Sequence, residues 1–184
     1  MSPAARHAQA VDCARRVKLM AFDVDGVLTD GSLIYSDERI ELKAFNTLDG
    51  LGLKLLQQAG VSVAIITGRR APCVELRAQD LAIPYLFQGV HDKLEVMRTL
   101  LDEVGLDLSE AGYMGDDLVD LPVMTACAFS ATPSDGQAIV RQHARLTTTR
   151  GGGRGAVREA CEFILAAQDK LAAAWAPFLP KDRQ

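Results

Sequence analysis

Hydrophobic residues along this chain fall into short continuous runs and longer helical repeats. The runs VKLMAFDV (17–24) and VSVAIITG (61–68) predict buried strands, and shorter apolar runs recur in PYLFQG, AGYMGDD, ACAFS and RLTTT. Residues 49–60, 91–105 and 154–175 repeat apolar side chains every three or four positions, which predicts helices. Strands that alternate with helices predict a Rossmann-like α/β domain, with a mainly parallel sheet and helices on both faces.

One segment departs from this alternation of buried strands and helices. In residues 32–46, Ile40, Leu42 and Ala44 alternate with Glu41 and Lys43 after a polar Ser-Asp-Glu turn. A period of two on both sides of a turn predicts a β-hairpin. We expect this hairpin to project from the domain.

Polar residues that could take part in catalysis or ligand binding follow the predicted strands or begin the next helix. They are Asp23, Asp25, Thr67, Lys93, Asp116 and Asp117. Each one alone is explained by a turn, a helix cap or a solvated side chain. The carboxyl ends of parallel strands lie at one edge of the sheet, however, and ligands bind there. Their joint placement favours one shared acidic site.

Several carboxylates at one site would repel each other and raise each other's pKa. A hard cation with oxygen ligands relieves this repulsion, and Mg²⁺ suits such a set. A lysine and a hydroxyl beside Mg²⁺ match the needs of a phosphoryl group. The chain has no GxxxxGK[ST] pattern, so a P-loop ATPase is disfavoured.

Length and composition place the chain among ordinary globular proteins. Its 184 residues predict a single domain, 1–184, with a core at about 17–175 and an irregular tail at about 176–184. The net charge of −4 disfavours nucleic-acid binding. Four separated cysteines predict reduced thiols. We expect a cytoplasmic protein without a membrane partner, because no signal-peptide core or spanning segment is present.

Four short motifs resemble those of the haloacid dehalogenase-like phosphohydrolases, in the same order: FDVDGVLTDG, IITGR, Lys93 and GDDLVD. The resemblance implies that Asp23 attacks phosphorus and that Asp25 transfers protons. It implies that Mg²⁺ is held by Asp23, Asp116 and the backbone carbonyl of Asp25. Thr67 and Lys93 would bind the phosphoryl group.

The remaining acids of the fourth motif are assigned a smaller part. Asp117 and Asp120 are supporting candidates, more in keeping with a helix cap or an indirect role than with metal ligation. His91 is interpreted as an exposed residue at a helix start.

The gaps between the motifs leave no room for a cap domain, so the hairpin stands in its place. A macromolecular substrate or another subunit must then cover the site. The wider stretches FNTLDGLGLKLL, YMGDDLVDLPVM and GGRGAVRE resemble the 3-deoxy-D-manno-octulosonate 8-phosphate phosphatases. That resemblance implies a homotetramer whose neighbouring subunits complete each active site. It also implies release of phosphate from an eight-carbon acidic sugar phosphate on the pathway to lipopolysaccharide.

A sugar acid carries a carboxylate besides its phosphate, so further cations are expected near the site. Arg69 is the first candidate, with Lys43, Arg154 and Arg158 behind it, and each is equally explained as a surface charge or an ion-pair partner. The C-terminal segment reaches toward an active site in some relatives, but the tail APFLPKDRQ matches no such motif.

Three other functions stay open at this point. A phosphatase of a nine-carbon sialic-acid-type sugar phosphate would share the same motifs. A non-catalytic oligomerisation module is disfavoured, because it would not need Asp23, Asp25, Thr67, Lys93 and Asp116 together. A phospho-accepting receiver domain is disfavoured because it has no use for a second aspartate two residues after the first.

Overall fold

The computed structural model describes residues 3–180 of the chain. Its strands are β1 (Leu19–Phe22), β2 (Ile34–Tyr35), β3 (Glu41–Leu42), β4 (Ser62–Thr67), β5 (Tyr85–Gln88), β6 (Ala111–Met114), β7 (Phe129–Thr132) and β8 (Leu146–Thr147). Its α-helices are α1 (Pro3–Ala14), α2 (Thr47–Gln58), α3 (Pro72–Asp80), α4 (Lys93–Val104), α5 (Leu121–Ala126), α6 (Ala138–His143), α7 (Ala156–Ala167) and α8 (Leu171–Trp175). Short 3₁₀ turns lie at Leu108–Glu110, Leu118–Asp120 and Ala176–Phe178.

Six parallel strands form the main sheet, in the order β5-β4-β1-β6-β7-β8. Strand β1 lies inside the sheet, where Ala21 pairs with Ala64 of β4 on one side and with Tyr113 of β6 on the other. The carboxyl ends of these three strands are therefore neighbours. This confirms the predicted α/β class and brings the predicted site residues to one edge.

Helices cover both faces of the sheet, as the sequence predicts. Along β1, Met20 and Phe22 pack with α1, α2, α3 and α7, whereas Leu19 and Ala21 pack with α4, α5 and α6. Successive side chains of a strand point to opposite faces, which explains this division. Because both faces are covered, the strand is apolar at every position and fully buried.

The predicted hairpin is present as two strands of two residues each. Ile34 pairs with Leu42 and Tyr35 pairs with Glu41 in an antiparallel arrangement. The apolar side chains of this hairpin are about half exposed, including Ile34 at 48% and Leu42 at 50%. Phe45, at the end of the segment, packs against the core of the domain, whereas the side chains on the two strands are only partly covered within residues 3–180.

The prediction of one continuous helix over 154–175 is wrong, because the structure has two helices there. The first ends after Ala167, and Asp169 adopts the left-handed conformation with φ of 57°. The amides of Asp169 and Lys170 donate to Ala166 and Leu165 at 3.1 and 2.8 Å, which is the Schellman pattern. Glycine usually marks this position, and aspartate also tolerates it, so apolar spacing alone did not reveal the break.

Helix α1 precedes the predicted core and was not predicted. Its Ala10 and Ala14 are buried, and the ring of His7 lies edge-on to Phe163 of α7 with centroids 5.8 Å apart. Of the predicted irregular tail, residues 181–184 lie outside the described part of the chain. Within residues 3–180, no helix is long and apolar enough to cross a membrane.

Candidate active site

A cleft of about 420 Å³ opens at the carboxyl ends of β1, β4 and β6. Most of the predicted site residues line it, namely Asp23, Asp25, Thr67, Arg69, Lys93, Asp116 and Asp117, together with His91. Thr67 ends β4 and is buried, and Gly68 and Arg69 follow it at the rim. The sheet topology thus gathers side chains that are up to 94 positions apart in the sequence.

Asp23 follows the last residue of β1 and is 7% exposed. Its amide donates to the carbonyl of Met114 at 3.0 Å, which continues the pairing between β1 and β6. One carboxylate oxygen accepts from the amide of Val24 at 2.7 Å and the other from Lys93 Nζ at 2.7 Å. Burial and the charge of Asp120 raise the pKa of Asp23 to about 6, against the lowering effect of Lys93.

Lys93 is the first residue of α4, where the helix dipole disfavours a cation. Two carboxylates offset that effect, since its ammonium donates to Asp23 at 2.7 Å and to Asp120 at 2.6 Å. Burial lowers the pKa of Lys93, but these two carboxylates outweigh burial and raise it. The lysine is therefore a fixed, buried positive charge beside Asp23.

Asp120 is fully buried and accepts four hydrogen bonds. Its Oδ1 accepts from Lys93 and from the Tyr113 hydroxyl at 3.1 Å. Its Oδ2 accepts from the amides of Asp116 and Asp117 at 3.0 and 3.2 Å. Asp120 therefore holds in place both Lys93 and the acidic loop, which is the segment of Asp116 and Asp117. Sequence reasoning gave Asp120 a supporting part and did not single out Tyr113, whose apolar strand context carries no signal for this contact.

Asp116 lies beside the β1 loop, the segment 23–30, and offers a carboxylate oxygen within 4.8 Å of one from Asp23. Burial, followed by the charges of Asp120 and Asp23, raises the pKa of Asp116 to about 7. Gly26, with φ of 82°, passes so close that a Cβ there would overlap the Asp116 carboxylate. Only glycine meets both demands at this position.

Asp23, Asp116 and Asp120 each offer an oxygen within 4.8 Å of the others. Three buried or half-buried acids face one lysine, so the cluster has surplus negative charge. That charge and the all-oxygen donor set fit a hard divalent cation such as Mg²⁺. Since Asp120 already accepts four hydrogen bonds, Asp23 and Asp116 are the acids with capacity left for a cation.

Asp25 belongs to a second group of charges on the hairpin side of the cleft. Lys43, whose side chain is 1% exposed, pairs with Asp25 Oδ1 and with Glu41 Oε1, the latter at 2.7 Å. Arg69 donates to Glu41 Oε2 at 2.8 Å and to the Tyr35 hydroxyl at 3.0 Å. Its Nε lies 3.8 Å from Asp25 Oδ2. Two of the predicted sugar-binding cations therefore flank Asp25, and sequence reasoning did not identify Glu41 as their common partner.

Arg154 and Arg158 do not line the cleft. Arg154 is exposed and lies 3.4 Å from Asp30, whereas Arg158 pairs with Glu162 at 2.6 Å on α7. The glycines before them do approach the site, since Gly152 is packed against the backbone of Gly26 with no space for a Cβ. Asp117 caps the turn at Leu118–Asp120 with a bond of 2.7 Å to the Leu118 amide.

Comparisons with known proteins agree on one group of enzymes. The chain is 44% identical to the 3-deoxy-D-manno-octulosonate 8-phosphate phosphatase of Yersinia pestis over 158 residues, which is 86% of this chain and 84% of that protein. It is 41% identical to the Escherichia coli K12 enzyme of the same name over 164 residues, 89% of this chain and 87% of that protein. A scan against protein-family models finds no match.

Solved structures give the same result. The Moraxella catarrhalis 3-deoxy-D-manno-octulosonate 8-phosphate phosphatase, solved with magnesium, phosphate and the sugar acid, superposes with a TM-score of 0.91 at 43% identity and covers 93% of this chain and 98% of that chain. A hydrolase of haloacid dehalogenase subfamily III A from Legionella pneumophila superposes with a TM-score of 0.91 at 39% identity, over 97% of this chain and 98% of that chain.

The raised pKa values predict a pH-dependent response to a divalent cation. In the metal-free protein, Asp116 binds a proton more tightly folded than unfolded, so its contribution makes stability fall as pH rises from about 4 to about 7. A cation requires the ionised carboxylate and must displace that proton below pH 7. We expect saturating Mg²⁺ to raise Tm more at about pH 8 than at about pH 5.5, as measured by differential scanning fluorimetry.

Asp116→Asn serves as the matched variant, because it keeps the shape of the side chain and removes its titration. This variant should lose most of the Mg²⁺ response at both pH values. An equal rise in Tm at both pH values in the unmodified protein would show that Asp116 is not protonated in the metal-free site.

Proposed function

Since the chain belongs to the 3-deoxy-D-manno-octulosonate 8-phosphate phosphatase family of haloacid dehalogenase-like hydrolases, we propose that it releases phosphate from 3-deoxy-D-manno-octulosonate 8-phosphate. It is a phosphoric monoester hydrolase, and its product is the free eight-carbon sugar acid used for lipopolysaccharide precursors. The observation that carries this proposal is the convergence of Asp23, Asp25, Thr67, Lys93 and Asp116 on one cleft in a chain this similar to those enzymes.

Asp23 is the proposed nucleophile. Val24 and Lys93 each hold one of its oxygens, so the carboxylate has a fixed orientation toward the cleft. Its attack forms the aspartyl-phosphate as the bond between phosphorus and the sugar oxygen breaks. Asp25 gives its proton to the leaving sugar oxygen.

The second half of the reaction regenerates the enzyme. Asp25 takes a proton from a water molecule, which attacks phosphorus and releases inorganic phosphate from Asp23. Thr67 and Lys93 hold the phosphoryl oxygens in both steps. Mg²⁺, held by Asp23, Asp116 and the Asp25 carbonyl, supplies charge neutralisation for the phosphoryl group when bound.

The sugar acid needs contacts outside this phosphoryl site. Arg69 is 43% exposed at the rim of the cleft and is the proposed partner of the substrate carboxylate. Lys43 is almost completely enclosed by Asp25 and Glu41, so we assign it to Asp25 rather than to the sugar. Arg154 lies on Asp30 within its own chain, and a sugar contact by Arg154 would have to replace that pair.

We further propose that the enzyme is a homotetramer that acts in the cytoplasm. The support for assembly is the apolar hairpin, where Leu33, Ile34, Tyr35, Ile40 and Leu42 are 47–56% exposed. A contiguous apolar ribbon of this kind is typical of a protein–protein contact. The four cysteines are free thiols, which suits a reducing compartment.

Two substitutions separate the proposed roles of the first two aspartates. Asp23→Asn should abolish turnover, because the amide is a poor nucleophile and a poor metal ligand. Asp25→Asn should turn over far more slowly but accumulate some aspartyl-phosphate, detectable by mass spectrometry of acid-quenched enzyme. Hydrolysis by Asp23→Asn at nearly the unmodified rate would sink the covalent mechanism.

Substrate choice is tested by comparing kcat/KM for the eight-carbon substrate with that for a nine-carbon sialic-acid-type phosphate, in Mg²⁺ and after EDTA treatment. We expect the eight-carbon ester to be preferred and EDTA to abolish both activities. A preference for the nine-carbon ester would overturn the assignment. A lack of Mg²⁺-dependent phosphate release from any sugar phosphate would favour an oligomerisation module.

Assembly through the hairpin is tested by combining Ile34→Ser with Leu42→Ser. These changes should shift the protein from a tetramer to smaller species in sedimentation velocity, since they remove apolar area from the contact. Leu76→Ser is the control, because Leu76 is a similarly exposed apolar residue, at 62%, that belongs to α3 and not to the hairpin strands. A tetramer that persists in the double variant would place the contact elsewhere.

A further inference from the structure

On the strands of the hairpin the acid Glu41 is largely buried and the apolar side chains are exposed, the reverse of what a lone ribbon would do. The Glu41 side chain is 12% exposed, whereas Ile40 and Leu42 on either side of it are 54% and 50% exposed. Glu41 contacts two cations, Lys43 and Arg69, and the second of these lines the cleft. No role in substrate binding has been assigned to Glu41. A buried carboxylate of this kind requires an explanation beyond strand pairing.

Glu41 lies between the two cations that flank Asp25. One of its oxygens is 2.7 Å from Lys43 Nζ, and the other accepts from Arg69 at 2.8 Å. The hydrogen bond from Arg69 and, second to it, the contact with Lys43 lower the pKa of Glu41, so it is ionised at neutral pH. Asp25, Glu41, Lys43 and Arg69 therefore form one compact group.

The two carboxylate oxygens of Asp25 have different partners within this group. Lys43 contacts Oδ1, whereas Oδ2 is buried and has no hydrogen-bond partner among residues 3–180. The nearest cation to Oδ2 is Arg69, with Nε at 3.8 Å, beyond hydrogen-bond distance. Arg69 stays at that distance because its guanidinium is bonded to Glu41 and to the Tyr35 hydroxyl.

The hairpin register brings these two anchors of Arg69 together. Tyr35 and Glu41 are a directly opposed cross-strand pair, so their side chains lie on the same side of the ribbon. A one-residue slip of one strand would put the two side chains on opposite faces of the ribbon, so that both could no longer reach Arg69. The pairing of β2 with β3 thus determines where the arginine is held.

We propose that Glu41 is a positioning residue that holds Arg69 beyond hydrogen-bond distance of Asp25 Oδ2, so that no protein donor occupies this oxygen and it can carry the transferred proton. Without the Glu41 carboxylate, Arg69 would move onto Asp25 Oδ2, since that oxygen has no hydrogen-bond partner within residues 3–180 and already lies 3.8 Å from its Nε. The oxygen needed to protonate the leaving group would then be occupied. This inference rests on the proposed role of Asp25 in proton transfer.

The test compares three esters in the Glu41→Gln variant, which keeps the shape of the side chain and removes its charge. The esters are the eight-carbon sugar acid phosphate, an aldose phosphate without a carboxylate, and p-nitrophenyl phosphate. We expect kcat/KM to fall about 10- to 100-fold on both alkyl esters, a part of the roughly 10²–10⁴-fold contribution of general acid–base catalysis. The p-nitrophenyl ester should change little, because its leaving group needs no proton.

Each other pattern overturns the proposal. An equal loss on all three esters would indicate a general structural defect, and a loss only on the carboxylate-bearing ester would place Glu41 in substrate binding. No loss on any ester would leave Glu41 without a positioning role. Glu38→Gln, in the exposed turn of the same hairpin, is the matched control and should change none of the three rates.

A double-mutant cycle tests whether the effect passes through Arg69. On the aldose phosphate, Glu41→Gln should cost much less when Arg69 is already replaced by methionine, since the competing cation is gone. Additive losses would contradict the proposed route. Glu41→Asp keeps the charge and should restore part of the alkyl-ester activity.

A crystal structure of Glu41→Gln tests the geometry independently of turnover. Arg69 should then lie within hydrogen-bond distance of Asp25 Oδ2, and an unmoved Arg69 would overturn the proposal even if activity fell. If the unmodified enzyme releases no phosphate from the eight-carbon ester, the proposed substrate is wrong. The crystallographic result would still decide the position of Arg69.

Discussion

The buried ammonium of Lys93 is the interaction on which the rest of the site depends. It lies between Asp23 and Asp120 at the start of α4, and without it these two carboxylates would face each other in a water-poor region. Because Asp120 also accepts from Tyr113 and from the amides after β6, the lysine connects β1, α4 and the acidic loop. One cation thereby sets the orientation of Asp23 and leaves enough negative charge for a metal ion.

A second group of charged side chains surrounds the neighbouring aspartate, Asp25. Around Lys93 the acids outnumber the cations, whereas in the second group two acids, Asp25 and Glu41, face two cations, Lys43 and Arg69. Asp23 and Asp25 are two residues apart, yet they contact separate partners on opposite sides of the cleft. This separation is compatible with the different roles proposed for the two acids, metal and phosphoryl binding for Asp23 and proton transfer for Asp25.

The C-terminal part of the chain packs against the β1 loop. Buried Asp49 of α2 accepts from the amides of Gly155 and Arg158 at 3.2 and 2.9 Å, which anchors the start of α7. The loop before that helix packs its glycines against the β1 loop, and the Gly153 amide donates to the Val27 carbonyl at 2.9 Å. These glycines therefore serve close backbone packing, and the arginines among them lie outside the cleft.

The sequence by itself determined the α/β class, the order of most elements and the placement of Asp23, Thr67, Lys93 and Asp116, because apolar period and strand-end position are local properties. It did not reveal the helix break at Asp169, where an aspartate stands in the usual place of glycine. The partners of Asp25 were also decided only by the tertiary structure. Glu41 and Arg69 are 28 positions apart, and no spacing rule brings a hairpin acid to a strand-end arginine. Contacts between side chains of separate elements depend on how the elements pack, and packing is a property of the whole fold.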